Sequence, residues 1–503
     1  MNLLVLLNAP HYLRPFVDTV RTLAGRGHRI TIAWYAGPDR TGDSIVERFA
    51  DLPTVQFRTV PSERSIRSTE VGLVRRSRNY LRYLDGPFRR SAKLRQRSLA
   101  KLVRLVTDSV EADASWSDAA LVLGQTEVVR LKDTLAYLES LIPPDPVCSS
   151  FLEAHGFDAV LVSPLVDLGS SGQVDFVKAA QALGIPVGML VYSWDNLSTK
   201  GDIHVLPDRV FLWNSRQQQE AVKLHGVPAE RVDITGAPRF DEFLACRPTI
   251  KRQKFLLLLG LDPAKPVIMY VCSSAFVSGD ELPFIRQWLA ALRGAASQAV
   301  RECSVIIRPH PDVPLVGPDT PGFKVPVLFD DVMVTARRPF EDDSALVVST
   351  SGRTPQGLFE CLGLSEAVVG LNTSAEIEAG LLGKSVFSVL AGPAADGQDA
   401  TLHFHYLLKK EGGFVEVAES LEAHAAQLAG LLEASQGERR LTRKHVVRRA
   451  MDFVRPLGAA LPVSPLLADA IERGLNLVPP PEGLRPLTEL AGVGAGRSTD
   501  ADA

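Results

Sequence analysis

The sequence predicts an α/β protein of two doubly wound, Rossmann-like domains facing a central cleft. Short apolar runs end in polar loops, stretches with helical spacing separate them, and the rhythm restarts after a polar break near residue 246. Such βα alternation marks a parallel sheet with helices on both faces. At 503 residues the chain can bury two large cores.

Residues 3–7 (LLVLL) read as a buried strand stopped by Asn8, Ala9 and Pro10. Pro15 suits a first helical turn, and Phe16, Val17, Val20, Leu23 and Ala24 follow at helical spacing until Gly25 and Gly27. HRITIAW (28–34) is the second strand and closes one βαβ unit. The rhythm resumes with FDAVLVS (157–163), a helix near 173–183, GIPVGMLVY (184–192), DRVFLWN (208–214), a helix near 215–225 and a strand ending at Ile234. Beyond CRPTIKRQK (246–254), strands running into polar loops are expected at 266–274, 304–311, 345–352 and 366–374, with a further strand at 383–390.

Between the first two sets lies a change of composition. From Arg64 to Arg104 there are 13 Lys or Arg against two acids, a net +11 that leaves −14 for the rest of a chain whose total is −3. Leucines interleave with the arginines, so a basic helical insertion over about 64–147 is expected. The predicted organisation is then a first domain over 1–245 with this insertion, a second over 246–440, helices at 441–477 that cross back to the first domain, and a disordered Pro/Gly-rich tail at 478–503.

Composition narrows the classes of function. Hydrophobic residues are 46% and charged residues 22%, which is globular. A total charge of −3 argues against a nucleic-acid coat, and no partner nucleic acid is expected. Five cysteines without a CxxC pair argue against a zinc site or a disulfide scaffold. No apolar run approaches the roughly 20 residues of a membrane span, and the N-terminus lacks the basic n-region of a signal peptide. A cytoplasmic protein is expected, with the basic segment 64–104 as a peripheral contact to the inner face of a membrane.

The chemistry concentrates at strand ends. In NTSAEIEAGLLGKSV (372–386), Asn372, Thr373 and Ser374 stand where a strand passes into a helix, a place suited to phosphate. Glu376 and Glu378 follow in the first turns, where a carboxylate can accept both hydroxyls of a ribose. A capping box explains the same residues without any ligand. YSWDNLSTKG (192–201) gathers Trp194, Asp195, Asn196 and Lys200 in one loop. Trp can stack on a sugar, Asp can act as a general base and Lys can bind phosphate; an Asp-Asn turn with a half-buried Trp is the structural alternative. His11, at the end of the first strand, and Asp167, in SPLVDLGSSG, are further base candidates. His403 and His405, two apart in TLHFHYL, are expected as a structural pair on a strand. Neither a DxD motif nor a His/Asp cluster with metal spacing is present, so no metal is expected.

The 372–386 block resembles the donor-binding signature of GT-B glycosyltransferases and nucleotide-sugar 2-epimerases. The resemblance implies Glu378 as the ribose-binding residue, with Thr373 and Ser374 where those families often carry glycines and Ser385 in place of the usual proline. VDITGAPRFDEF (232–243) resembles the V-T-G-x-P-x-x-D stretch that closes the N-terminal domain of these enzymes. RPHP (308–311) resembles the His-Pro motif of bacterial polysialyltransferases, capsule Kdo transferases and glycerophosphate polymerases, which implies Arg308 and His310 as phosphate donors. Ser349, Thr350, Ser351 and Thr354 resemble the Ser/Thr loop of those transferases, and Ser273 and Ser274 complete the donor side. Trp194, Asn196 and Lys200 would bind acceptor, with Asp195, His11 or Asp167 as base. The implied activity is metal-independent transfer of a sugar from a nucleotide donor to a carbohydrate or lipid-linked acceptor, in bacterial surface-polysaccharide synthesis. A nucleotide-sugar epimerase, a CDP-alditol phosphotransferase and a non-catalytic nucleotide-sugar-binding protein are the alternatives.

Overall fold

Alternate residues of the LLVLL run face opposite cores. Leu4 and Leu6 pack with Val160 and Val162, whereas Leu3, Val5 and Leu7 pack with Ala159 and Leu161. A strand covered on both sides has no polar face, so its run is continuously apolar. The computed structural model describes residues 1–35, 41–61, 68–107, 122–169, 171–311, 313, 315–317, 320–325, 333–341, 343–351, 355–390 and 395–477. The tail expected at 478–503 lies outside the described residues.

The first sheet contains β1 (Asn2–Leu7), β2 (Arg29–Tyr35), β3 (Val55–Val60), β4 (Ala159–Ser163), β5 (Val187–Leu190), β6 (Arg209–Leu212) and β7 (Val232–Ile234). Their order is β3-β2-β1-β4-β5-β6-β7, all parallel. The second contains β8 (Val267–Val271), β9 (Ser304–Arg308), β10 (Gly322–Val325), β11 (Met333–Arg337), β12 (Leu346–Ser351), β13 (Ala367–Gly370), β14 (Ser385–Val389) and β15 (Val415–Ala418). Its order is β10-β11-β12-β9-β8-β13-β14-β15, antiparallel only at β10–β11 and β11–β12. Four strands not anticipated from the sequence, β3, β10, β11 and β15, lie at or next to sheet edges. β10, for example, buries only Val325, which leaves little apolar pattern to read. The first helix, α1 (Val17–Gly25), is preceded by a 3₁₀ stretch over Pro10–Phe16 that holds both Pro15 and His11.

The basic segment forms α2 (Ser68–Arg82) and α3 (Ala92–Thr107), followed by α4 (Gln125–Leu141). It is not the open cationic surface expected from its charge, because several of its arginines turn inward. Arg75 pairs with Glu139 of α4 at 2.9 Å and with Asp175 at 2.7 Å. Arg82 pairs with Asp202 at 2.7 Å and Arg78 reaches the same carboxylate at 3.2 Å. Arg75, Arg82 and Arg95 are buried, which leaves Arg89, Arg90, Lys101 and Arg104 among the exposed cations. Among the described residues no helix is long and apolar enough to cross a membrane.

The chain ends by bridging the two sheets. Val446, Ala450 and Val454 of α9 (Gln436–Val454) join the core of the second sheet. Leu467, Ala468 and Ile471 of α10 (Val463–Gly474) join that of the first. (Labels α5 to α8 are given below to Gln173–Ala182, Ser215–His225, Ser374–Leu381 and Leu402–Leu407.) The GAPRFD turn receives this return. Gly236 has φ +103°, and a Cβ there would meet the Val454 carbonyl at 2.8 Å. Asp241 accepts hydrogen bonds from Arg455 at 2.6 Å, from the Val463 and Ser464 amides at 3.0 and 2.7 Å, and from the Ser464 hydroxyl at 3.0 Å. Replacing Asp241 by Ala strands a nearly buried guanidinium and should cost about 3–5 kcal/mol. Urea unfolding should show that loss, and limited trypsin digestion should cut first around residues 455–463; an unchanged midpoint with an unchanged cleavage pattern contradicts the assignment.

Candidate functional site

Because β9, β8 and β13 are neighbours, their carboxyl ends place Arg308, Ser273 and Asn372 side by side. In doubly wound sheets that end is where ligands bind. Arg308 Nη2 donates to Thr350 Oγ1 at 2.8 Å, while its Nη1 is buried with no hydrogen-bond partner. Glu378, on α7, is nearly buried, and its nearest cation is Arg239 at 3.9 Å. Burial raises the Glu378 pKa against the pull of Arg239 and Arg308. Arginine and carboxylate both retain unused hydrogen-bonding capacity. Buried polar groups are normally saturated; these two are not.

The neighbouring polar groups are used in part by the fold itself. Thr373 and Glu376 form a capping box at the start of α7, with Glu376 accepting the Thr373 amide at 3.0 Å. Burial pushes Glu376 up to about 7 despite those amide bonds. Asn372 adopts φ +82°, and its amide donates to the Gly397 carbonyl at 2.7 Å and toward His403 Nε2 at 3.1 Å. Ser273 is buried, donates its amide to Glu281 at 2.6 Å, and leaves its Oγ without a partner. Ser274 stands at the same loop and accepts the Val277 amide through its carbonyl at 2.9 Å.

Across the cleft, the carboxyl ends of β1, β4 and β5 converge. His11 and Tyr12 are 4.3 Å apart and Tyr12 and Tyr192 are 4.8 Å apart, centroid to centroid. Burial and the charges of Asp167 and Asp195, with Tyr192, push the Tyr12 phenol up to about 12. His11 thus belongs to the aromatic cluster, and the charges of Asp167 and Asp195 are felt at its Tyr12. Burial alone would raise the Asp195 carboxyl. Lys200, at 3.9 Å, outweighs it together with His403 and hydrogen bonds from Ser193 and Thr199, and holds the group well below the usual carboxylate range.

Helix α2 fixes both loops that carry these carboxylates. Asn79 donates to the Asp167 carbonyl at 2.9 Å and accepts the Asp202 amide at 2.8 Å. Arg82 donates to the Leu197 carbonyl at 2.5 Å, and the Tyr83 hydroxyl donates to the Lys200 carbonyl at 2.6 Å. Leu165, in the first of these loops, has φ +62° and donates its amide to Gln173 of α5 at 2.8 Å. Leu165 and Asn372 are two of three non-glycine residues with positive φ among the described residues. They flank the cleft, where such strained conformations commonly gather.

No protein-family model and no curated protein matches the chain. Solved structures do. HepE of Anabaena in complex with UDP is similar at 12% identity with a TM-score of 0.50, over 95% of this chain and 100% of that one. The UDP-GlcNAc 2-epimerase of Neisseria meningitidis bound to UDP-GlcNAc is similar at 11% identity and a TM-score of 0.50, over 94% and 100%. MnaA of S. aureus with UDP is similar at 11% and 0.50, over 95% and 97%. The fold is GT-B.

Several sequence expectations change in this GT-B cleft. Trp194 is buried, edge-on to His403 at 4.8 Å and to Phe453 at 6.2 Å, so no ring face is open to a sugar. Asn196 is buried, and its side-chain oxygen accepts the Tyr192 and Ser193 amides at 3.0 and 2.9 Å; it shapes the loop. Ser349, Thr350 and Ser351 belong to β12 and pair with β11. Alternation there leaves Thr350 toward Arg308 and Ser349 exposed on the other face, while Thr354 lies outside the described residues. His11 lies in the 3₁₀ stretch beyond β1. His403 and His405 sit on the short helix α8. His403 turns inward between Asn372 and Ser198, whose Oγ lies 3.4 Å from its Nδ1, and burial pushes it down to about 4. His405 turns toward Asp399. His310 stays at the turn after β9, where its carbonyl accepts the Val313 amide at 3.1 Å. Among the described residues no group of three His, Cys, Asp or Glu could hold a metal ion.

The depressed Asp195 carboxyl has a consequence for stability. Its contribution is complete above the unfolded pKa, about 3.9, and is lost as pH falls toward the lower folded value. Removing the Lys200 charge in Lys200→Met should move the folded pKa upward and shrink that contribution. Urea midpoints of wild type and Lys200→Met should therefore differ at pH 6 and converge on acidification below about pH 4; a gap that stays constant or widens contradicts the pairing.

Proposed function

We propose that the chain is a metal-independent GT-B glycosyltransferase, which moves a sugar from a nucleotide donor to a carbohydrate or glycolipid acceptor. The observation that carries the reading is the pair of unsaturated groups on the second domain, Arg308 Nη1 and Glu378. In this reading Glu378 accepts the ribose hydroxyls. Arg308, His310 and the N-terminus of α7, with Thr373 and Ser374, face the phosphates. The likeness to UDP-bound structures favours UDP as the nucleotide.

The acceptor enters from the side of Tyr12, Tyr192 and His11. Its hydroxyl oxygen attacks the anomeric carbon and the bond from that carbon to the diphosphate oxygen breaks, with the electron pair leaving on the nucleotide. Asp195, held ionised by Lys200, takes the hydroxyl proton. Arg308 and His310 balance the charge that develops on the leaving group. The setting proposed is the cytoplasmic side of surface-polysaccharide synthesis. A peripheral membrane contact would fall to the exposed Arg89, Arg90, Lys101 and Arg104. A second reading, epimerisation of a UDP-sugar, is favoured by the likeness to the UDP-GlcNAc 2-epimerase and by two carboxylates, Asp167 and Asp195, whose charges both act on Tyr12.

Incubation with UDP-, GDP-, CMP- and CDP-linked sugars separates the readings: acceptor-dependent nucleotide release marks transfer, isomerised sugar marks epimerisation, and binding without turnover marks neither. Glu378→Gln and Arg308→Ala should each weaken nucleotide binding by about 1–3 kcal/mol in calorimetry. Asp195→Asn should cut turnover by about 10²–10⁴-fold with donor affinity near wild type, and EDTA should change neither. Unchanged nucleotide affinity in both donor-side variants rejects the pocket. A small loss in Asp195→Asn beside a large one in His11→Ala moves the base to the histidine.

A further inference from the structure

Among the arginines of the basic segment that stay outside the internal pairing, one reaches the other domain. Arg97, on α3, is exposed and makes no hydrogen bond to a described residue. Its guanidinium carbon lies 4.4 Å from the ring centroid of Phe276, which belongs to the loop after β8 in the other domain. Lys93 donates to the Val277 carbonyl of that loop at 2.8 Å, and Ser91 donates to the Ala400 carbonyl. The helix thus carries Arg97 across the cleft. It arrives at the carboxyl end of the second sheet, over the loop that lies between those of Arg308 and Asn372.

The surroundings suit an anion from outside the protein. Crowding by the cleft lowers the Arg97 pKa, and Tyr83, Asp195 and Asp167 oppose that, yet arginine remains charged at any working pH. The aromatic ring covers one face of the fork, no carboxylate bonds to it, and solvent reaches the rest. Lysine could not replace the planar stacking and the two-pronged donation together.

We propose that Arg97 is a phosphate-contacting residue of the cleft, which meets a phosphoryl group of a substrate from the side opposite Arg308. The inference rests on the nucleotide-sugar reading above, and the phosphate is that of the donor diphosphate or of a phosphorylated acceptor. Calorimetric titration of wild type, Arg97→Met and Arg97→Lys with UDP, uridine and inorganic pyrophosphate tests it. Methionine keeps apolar contact with Phe276, and equal thermal melting of the variants separates lost contact from lost fold. The expected result is a loss of about tenfold or more for UDP and pyrophosphate in Arg97→Met, an intermediate loss in Arg97→Lys, and unchanged uridine affinity. If UDP affinity is unchanged, inorganic phosphate titrated at saturating UDP should bind wild type and fail on Arg97→Met, which assigns the phosphate to the acceptor. Equal affinities of wild type and Arg97→Met for every probe overturn the proposal. A wild type that binds none of UDP, GDP and CDP rejects the nucleotide reading instead, and the pyrophosphate arm then still decides the role of Arg97.

Discussion

A guanidinium removed from water needs its charge answered, and this requirement organises the first domain. Arg82 is 1% exposed. Asp202, the Leu197 carbonyl and His225 surround it. Leaving such an ion uncompensated costs several kcal/mol, so α2 and the 195–204 loop must adopt their positions together. Asn79 and Tyr83, on the same helix and at its end, extend that control to the Asp167 and Lys200 backbones. The carboxylates at the cleft are therefore aimed by a helix that itself contributes little to the open surface.

Saturation separates supporting residues from those with capacity left for a ligand. Trp194, Asn196 and Glu376 are largely consumed by packing or by backbone amides. Arg308, Glu378 and Arg97 are not, and they stand on opposing walls of one cleft. Asp195 occupies an intermediate position, bonded to Thr199 at 2.8 Å and kept charged by Lys200. The C-terminal return, with α9 on one sheet and α10 on the other, ties the two walls into a single frame through Asp241.

What could be read from the sequence followed from local signals. Central strands announce themselves because both faces are buried, and two such sets in order give two doubly wound domains with a cleft between them. The 372–386 block carried its cap in its spacing, since Thr373 and Glu376 stand three apart whereas Glu378 lies two residues further on. The +11 segment misled because its partners, Glu139, Asp175 and Asp202, lie far along the chain, and a charge count does not see them. Trp194 misled for a related reason: residue type names a ring, not the His403 and Phe453 rings packed against it. Ser349 to Ser351 looked like a loop because β11, the strand that extends β12, shows only Val334 and Ala336 as buried residues.

The claim that a buried arginine positions the 193–204 loop is tested most directly by hydrogen exchange of backbone amides in wild type and Arg82→Met. Exchange over residues 193–204 should quicken by about 10-fold or more in the variant, the scale of losing over 1.4 kcal/mol of local protection, while amides of β8, β9 and β13 keep their wild-type rates. Unchanged exchange over 193–204, or equal acceleration in both sheets, would contradict it.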